Sequence, residues 1–250
     1  MSKPNGATTA NPQEVANFTR MADQWWDPKG KFRPLHQINP LRTAFVVENA
    51  AKHFGFDATA EKPLLGLEII DVGCGGGILS EQMAALGASV TGIDAGDKNI
   101  EIAKIHSAKS GLDINYRNIL PEDLALEGKR FDIVLNMEII EHVSDTEAFM
   151  AASTALLKDN GAMVLSTLNR TIKSFLLAKI GAEYILRWLP VGTHSWDKFL
   201  KPSELARLIR PHALEFSEIA GVIYNPLNDS WSVSKTDLDV NYMAFALQKK

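Results

Sequence analysis

From residue 67 to residue 167 the chain alternates short apolar runs with helix-forming segments, and this rhythm restricts the fold more than any other feature. LEIIDV, SVTGID, INYRNI, FDIVLNM and AMVLST have strand length. Between them lie ILSEQMAAL, stopped by Gly87, and a helical stretch from about Asp97 to Ser110, stopped by Gly111. A third begins at a capping box, Ser144-Asp145-Thr146-Glu147, and ends at Asn160-Gly161. Strands separated by helices at this spacing form βαβ units, so the pattern predicts an α/β fold, with a parallel sheet covered by helices on both faces. The rhythm breaks near the end. A helical insertion over about 170–189 and a short helix after Pro202 precede EFSEIAGVIY and VNYMAFALQ. No helix separates those last two strands, so they are expected to pair antiparallel.

At the other end, Asn11-Pro12-Gln13-Glu14 reads as a helix start. It combines a capping side chain, a proline in the first turn and a glutamate reaching back. Val15, Phe18, Ala22 and Trp25 follow at helical spacing. The basic, proline-rich stretch DPKGKFRPLHQINPLR reads as irregular, and a second helix is expected from about Leu41 to Phe54, ending at Gly55.

Residues 71–77 read DVGCGGG, and four glycines in five positions leave a bare main chain at the turn from the first strand into its helix. In open α/β sheets a ligand sits at the carboxyl ends of the strands, so this turn is expected to touch one. A dinucleotide fingerprint needs glycine at its first, third and sixth positions; here those are Gly73, Gly75 and Ile78. Asp71 also stands where it would repel a pyrophosphate, but it suits a cation. A phosphate-free nucleoside carrying ammonium and sulfonium charge fits these residues, and S-adenosylmethionine is such a molecule. Asp94, at the end of the second strand, is expected to hold the ribose hydroxyls, and Met137, ending the fourth, to pack on the adenine. The adenine edge would be met near Asn118-Ile119-Leu120. An NAD-dependent oxidoreductase is the rival reading, opposed by Ile78 and Asp71.

These motifs resemble class I S-adenosylmethionine-dependent methyltransferases, whose Rossmann-like, mostly parallel seven-stranded sheet ends in an antiparallel hairpin. Further segments resemble the ubiquinone-biosynthesis O-methyltransferase family: WWDPKGKFRPLHQINPLR, MEIIEHV, STLNRTIKS, GAEYILRWLPVGTHSWDKFLKP, YNP and DVNYM. The resemblance spans about residues 18–243 and is most specific between Gly181 and Pro202. It implies methylation of ring hydroxyls on polyprenylated catechols and on demethylubiquinol, with cofactor contacts from Arg42, Gly73, Asp94 and Met137. A guanidinium at Arg42 suits the cofactor's carboxylate. A C-methylating relative and a non-catalytic cofactor-binding scaffold in a quinone-biosynthesis enzyme complex are the alternatives.

A phenol has a pKa near ~10, so methylating its oxygen at neutral pH needs a base or a cation. Glu138-Ile139-Ile140-Glu141-His142 follows the fourth strand. His142 could take the proton; Glu138, Glu141 and His142 could instead hold a divalent ion, which the resemblance links to magnesium; or the three could simply shape the pocket. His36 could approach the pocket or make a loop hydrogen bond, His194 could help form a lid, and His53, His106 and His212 are expected to face solvent.

A polyprenyl tail is insoluble. Tyr184, Ile185, Trp188 and Leu189 form an apolar arc opposite Glu183 and Arg187, which suits an interfacial helix over Lys173–Leu189 touching anionic membrane lipid, or a lid over the pocket. No apolar run approaches the ~18 residues of a membrane span. The polar start MSKPNGATTANPQ lacks a signal-peptide core, so a cytoplasmic protein, peripheral at the inner membrane face, is expected. A net charge of −4 gives no reason to expect a nucleic-acid partner, and a single cysteine, Cys74, rules out an intrachain disulfide and a Cys-rich zinc site. One domain accounts for the chain: N-terminal helices and cap over 1–60, cofactor core over 64–167, helical insertion over 168–200, and C-terminal helix and hairpin over 201–250.

Overall fold

The structure is a computed structural model that describes residues 8–175 and 196–249. Its strands are β1 (Glu68–Val72), β2 (Ser89–Asp94), β3 (Ile114–Asn118), β4 (Phe131–Met137), β5 (Leu157–Leu168), β6 (Leu214–Asn225), β7 (Ser230–Ser234) and β8 (Asn241–Gln248). They form one sheet in the order β3-β2-β1-β4-β5-β8-β6-β7, parallel from β3 to β5 and antiparallel from β5 onward. The expected pairing of the last two long strands is present, between β6 and β8. Among the described residues the sheet has eight strands rather than seven. The addition, β7, forms a hairpin with β6 from the Ser-rich SWSVS, which carries only two apolar residues and lies at the sheet's edge, where a weak pattern suffices.

The helices are α1 (Pro12–Met21), α2 (Arg33–Phe54), α3 (Ile78–Ala85), α4 (Asp97–Lys109), α5 (Pro121–Leu126), α6 (Thr146–Ala155), a single turn α7 (Ile172–Ser174) and α8 (Pro202–Ile209). Successive residues of the central strands feed two different cores, because side chains alternate across a sheet. Ile69, Ile133 and Val164 pack with Val46 and Ala50 of α2 and Met83 of α3. Ile70, Val134 and Met163 pack with Leu124 of α5, Phe149 of α6 and Leu205 of α8. Burying one such side chain contributes roughly 1.5–3 kcal/mol, so the central strands hold both layers together.

Four local expectations need correction. The stretch expected to be irregular before Leu41 is helical from Arg33, because Pro34 falls in the first turn, where its missing N–H is harmless, and the helix absorbs Pro40 at the loss of one backbone bond. The cap of α6 is Asp145, whose carboxylate accepts from the N–H groups of Glu147 and Ala148; the Ser144 hydroxyl donates instead to the Thr8 and Thr9 carbonyls. That helix stops at Ala155, and Leu157 already belongs to β5. The Asn11 cap forms as expected, but Glu14 does not reach back to it. Of the segment Lys173–Leu189, only 173–175 are described; Tyr184, Ile185, Trp188, Leu189 and His194 lie outside the described residues. Among the described residues no helix is long and apolar enough to cross a membrane.

Candidate active site

The carboxyl ends of β1, β2 and β4 meet a cavity of about 600 Å³, whose wall includes Arg42, Asp71, Gly73, Gly75, Asp94, Met137, Glu138, Glu141 and His142. These nine candidates therefore border one space, whereas His36 and Asn118, also considered, are not in its wall.

Asp71, in β1, is buried and accepts a 2.6 Å hydrogen bond from the Ser80 hydroxyl in the first turn of α3. Burial pushes its pKa up to about 6, against the Ser80 hydrogen bond and the Arg42 charge, and Asp94 pushes the same way as burial. Beyond it the chain turns sharply: the N–H groups of Gly73 and Cys74 both donate to the Ile93 carbonyl, and that of Gly75 donates to Asp94 Oδ2 at 3.0 Å. Asp94 Oδ1 accepts from the Gly96 N–H at 2.7 Å and from Asn99 Nδ2 at 3.0 Å. Burial raises the Asp94 pKa despite these three donors. A carboxylate offers about four lone-pair sites, so it retains capacity for a ligand hydroxyl while clamping the loop.

The glycines have a second use. Gly73 and Gly75 adopt φ of +73° and +54°, which L side chains rarely tolerate. A β-carbon at Gly73 would overlap the Ile139 side chain, and one at Gly75 would overlap the Trp25 indole. The space left by the missing side chains is thus filled in part by protein. Trp25 closes a ring of contacts: it covers Gly75, stacks on Phe32 at 3.7 Å, and donates through Nε1 to Asn99 Oδ1 at 2.9 Å, while Asn99 holds Asp94.

At the end of β4, Glu138 takes a left-handed backbone (φ 53°), and its Oε1 accepts from Arg42 and from Asn241 Nδ2. Arg42 is buried beside both Glu138 and Asp71. The amide oxygen of Asn241 is buried and has no hydrogen-bond partner among the described residues. Asp71, Glu138 and this oxygen supply acceptors for a cationic ligand, and Arg42 supplies a guanidinium for an anionic group on it. The donor set fits a zwitterionic amino-acid moiety bearing an additional positive charge.

Glu141 is buried in the 3₁₀ turn that follows, where it accepts from the Thr167 hydroxyl at 2.9 Å; burial raises its pKa. His142 Nδ1 lies 3.2 Å from Glu14 Oε2, and the Phe18 ring meets the imidazole edge-on at 5.1 Å. The other Glu14 oxygen, Oε1, accepts from Lys198 Nζ at 3.2 Å. Burial works to lower the His142 pKa, but the Glu14 hydrogen bond and the charges of Glu141 and Glu14 outweigh it and leave the imidazole more basic than usual. The Glu14 carboxyl shifts down, chiefly through that same hydrogen bond.

The three residues considered for magnesium are drawn to separate partners: Glu138 to Arg42, Glu141 to Thr167, His142 to Glu14. Among the described residues no group of three or more potential ligands comes together. This arrangement does not fit a shared divalent ion.

His36 binds the Trp25 carbonyl at 2.8 Å. His53 bonds the Asn160 carbonyl, and His106, expected to face solvent, stacks on Trp26 at 3.4 Å and pairs with Glu81. Asn118 holds the Asp94 carbonyl with its side chain, while Ile119 and Leu120 border the cavity. Glu14, Trp25 and Asn99 escaped the sequence reading. Glu14 looked like half of a capping motif, and Trp25 like one position of an apolar helix face; Asn99 carried no motif.

A family model described as a methyltransferase domain matches residues 55–215. Among curated proteins, the ubiquinone biosynthesis O-methyltransferase of Cereibacter sphaeroides is 51% identical over 246 residues, covering 98% of this chain and 100% of that protein. The protein of the same name from Bartonella quintana is 53% identical over 239 residues, covering 96% of each. Among solved structures, magnesium protoporphyrin IX methyltransferase from Synechocystis with bound SAH superposes with a TM-score of 0.64 at 20% identity, covering 94% of this chain and 95% of that one. A possible histamine N-methyltransferase from Thermotoga maritima gives 0.63 at 17% identity, covering 95% and 100%. At these identities the structural likeness concerns the fold alone.

Proposed function

The chain belongs to the ubiquinone biosynthesis O-methyltransferase family, and from that premise we propose that it methylates a ring hydroxyl of polyprenylated catechols and quinols. One observation carries the chemistry: a carboxylate-oriented imidazole, His142 on Glu14, borders the same cavity as the acid-and-arginine set of Asp71, Glu138, Arg42 and Asp94.

Bound S-adenosylmethionine supplies an electrophilic methyl group on a sulfonium. The chain's own residues do the rest. Arg42 is the fork for the donor's carboxylate, in exchange for part of its bond to Glu138. Asp71, Glu138 and the Asn241 amide oxygen face the donor's positive groups, and Asp94 takes the ribose hydroxyls. Met137, Ile119 and Leu120 offer apolar surface to the base. With Nδ1–H held by Glu14, the acceptor lone pair of His142 is on Nε2, where it takes the phenol proton as the oxygen attacks. Holding donor and acceptor in line contributes on the order of 7 kcal/mol or more. No step is routed through a metal ion, because Glu138, Glu141 and His142 are committed to three different partners.

The insoluble tail supports peripheral contact with anionic lipid and with other enzymes of quinone synthesis as part of the same proposal. The test is incubation with labelled S-adenosylmethionine and a short-tailed polyprenyl catechol. A labelled phenolic methyl ether is expected; label on a ring carbon, or no transfer, would overturn the assignment.

A further inference from the structure

Because β8 runs antiparallel to both β5 and β6, the β6–β7 hairpin points to the same edge of the sheet as the carboxyl ends of β1, β2 and β4. The cavity follows that edge. Its wall runs from Asp94 on β2, past Asp71 and Glu138, to Leu168 on β5, Val222 and Ile223 on β6, and Trp231 on β7. Neighbouring strands are ~4.8 Å apart, so the stretch from β5 to β7 adds about 14 Å beyond the residues assigned to methyl transfer. That far arm changes character. Leu35 and Ile38 of α2 line it together with Val222, Pro226 and Trp231, and Leu35, Ile38, Val222 and Trp231 belong to one apolar cluster.

Polar groups around the arm are turned to another task, stitching its two walls together. Asp229 at the hairpin tip pairs with Arg33, accepts from Gln37 Nε2 at 3.3 Å and accepts from the Tyr224 hydroxyl at 2.9 Å; Trp231 Nε1 donates to Gln37 Oε1 at 3.2 Å. The Trp231 and Tyr224 rings lie 4.9 Å apart in the wall. At the tip, Leu227 is 94% exposed and forms an apolar lip next to Pro226.

We propose that this arm, between the first turns of α2 and the β6–β7 hairpin, holds the first isoprene units of the substrate's tail and lets the remainder leave past Leu227. The inference rests on the catechol-methylating function above and adds which residues read the tail. An apolar chain attached to the ring enters where the cavity is continuous with the methyl-transfer site, and the arm offers it apolar side chains along its length. Leu35 and Trp231 thereby set how strongly a tailed substrate is preferred over a bare catechol.

The experiment compares kcat/KM for a short-tailed catechol and for the same catechol without a tail, in wild type, Trp231→Ala and Leu35→Trp, with S-adenosylhomocysteine binding measured by calorimetry. The first variant removes a wall and the second fills the arm, so both are expected to lower the tailed-to-bare ratio ~10-fold, the scale of discrimination by a few apolar groups. An unchanged ratio in both variants, including equal loss on both substrates, overturns the tail site while leaving O-methylation intact. Failure of wild type to methylate either substrate overturns the underlying function instead, and this inference with it.

Discussion

The imidazole of His142 and the carboxylate of Glu14 meet at 3.2 Å across 128 residues of sequence. The contact exists because α1 lies over the carboxyl edge of the sheet, where its first turn faces the 3₁₀ turn after β4. Glu14 sets which imidazole nitrogen carries the proton and makes that imidazole more basic. Glu14→Gln keeps a hydrogen-bonding side chain but removes the charge. The expected result is a kcat about 10- to 100-fold lower, up to the lower end of the roughly 100- to 10,000-fold contribution of a general base, because His142 itself is retained. The acid limb of the kcat/KM profile should also move to lower pH, because a cause that raised the His142 pKa is gone. A profile that keeps its midpoint would show that Glu14 acts only as scaffolding.

Asp71 is expected to make donor binding pH-dependent. Its pKa is about 6 in the folded protein against 3.8 for an ordinary aspartate, so between those values the folded chain holds a proton that the unfolded chain has released. Stability from this group is therefore greatest at low pH and falls as pH rises through that window, by about 3 kcal/mol in total. Affinity for a cationic donor runs the opposite way: it climbs toward pH 6 and levels off above it. Calorimetry with S-adenosylmethionine from pH 5 to 8 should show this climb. Asp71→Asn should flatten it, weaken binding and raise the melting temperature at pH 8.

Gly75→Ala tests whether Trp25 and the loop form one unit. The new methyl would need a left-handed backbone, costing roughly 1–2 kcal/mol, and would also displace the indole. Expected consequences are a lower melting temperature, weaker binding of S-adenosylhomocysteine and a shift in tryptophan fluorescence. Trp25→Ala in the same background should recover part of the lost stability, since the two effects share one space and cannot be additive.

Lipid contact can be checked with vesicles containing anionic lipid. Co-sedimentation should fall for Trp188→Glu relative to wild type and should weaken with added salt, as charge attraction is screened. Equal binding by both proteins would remove this part of the proposal.

The α/β order was legible because the central strands are buried on both faces and so read as unbroken apolar runs, such as Ile69-Ile70 and Val134-Leu135. β7 was not, since an edge strand with Ser at three of its five positions carries little pattern. The acid ending β2 and the glycine turn were legible through local spacing, and the structure brings them together at one cavity. Two kinds of feature escaped. Contacts between distant segments, such as Glu14 with His142, leave no local trace. Individual residues that look like ordinary core, such as Trp25, reveal a site role only once the loop they cover is in place. Glu138, Glu141 and His142 show the reverse limit: adjacency along the chain suggested a shared ligand, yet the turn after β4 sends them to three separate partners.

The placement of β8 between β5 and β6 has a consequence for biogenesis. The strand made last among those described closes a central gap in the sheet, so β6 and β7 have no neighbour toward β5 while the ribosome is still adding residues 241–248. Until then the nascent chain exposes two unsatisfied strand edges, and the wall that faces α2 cannot be set against the methyl-transfer site.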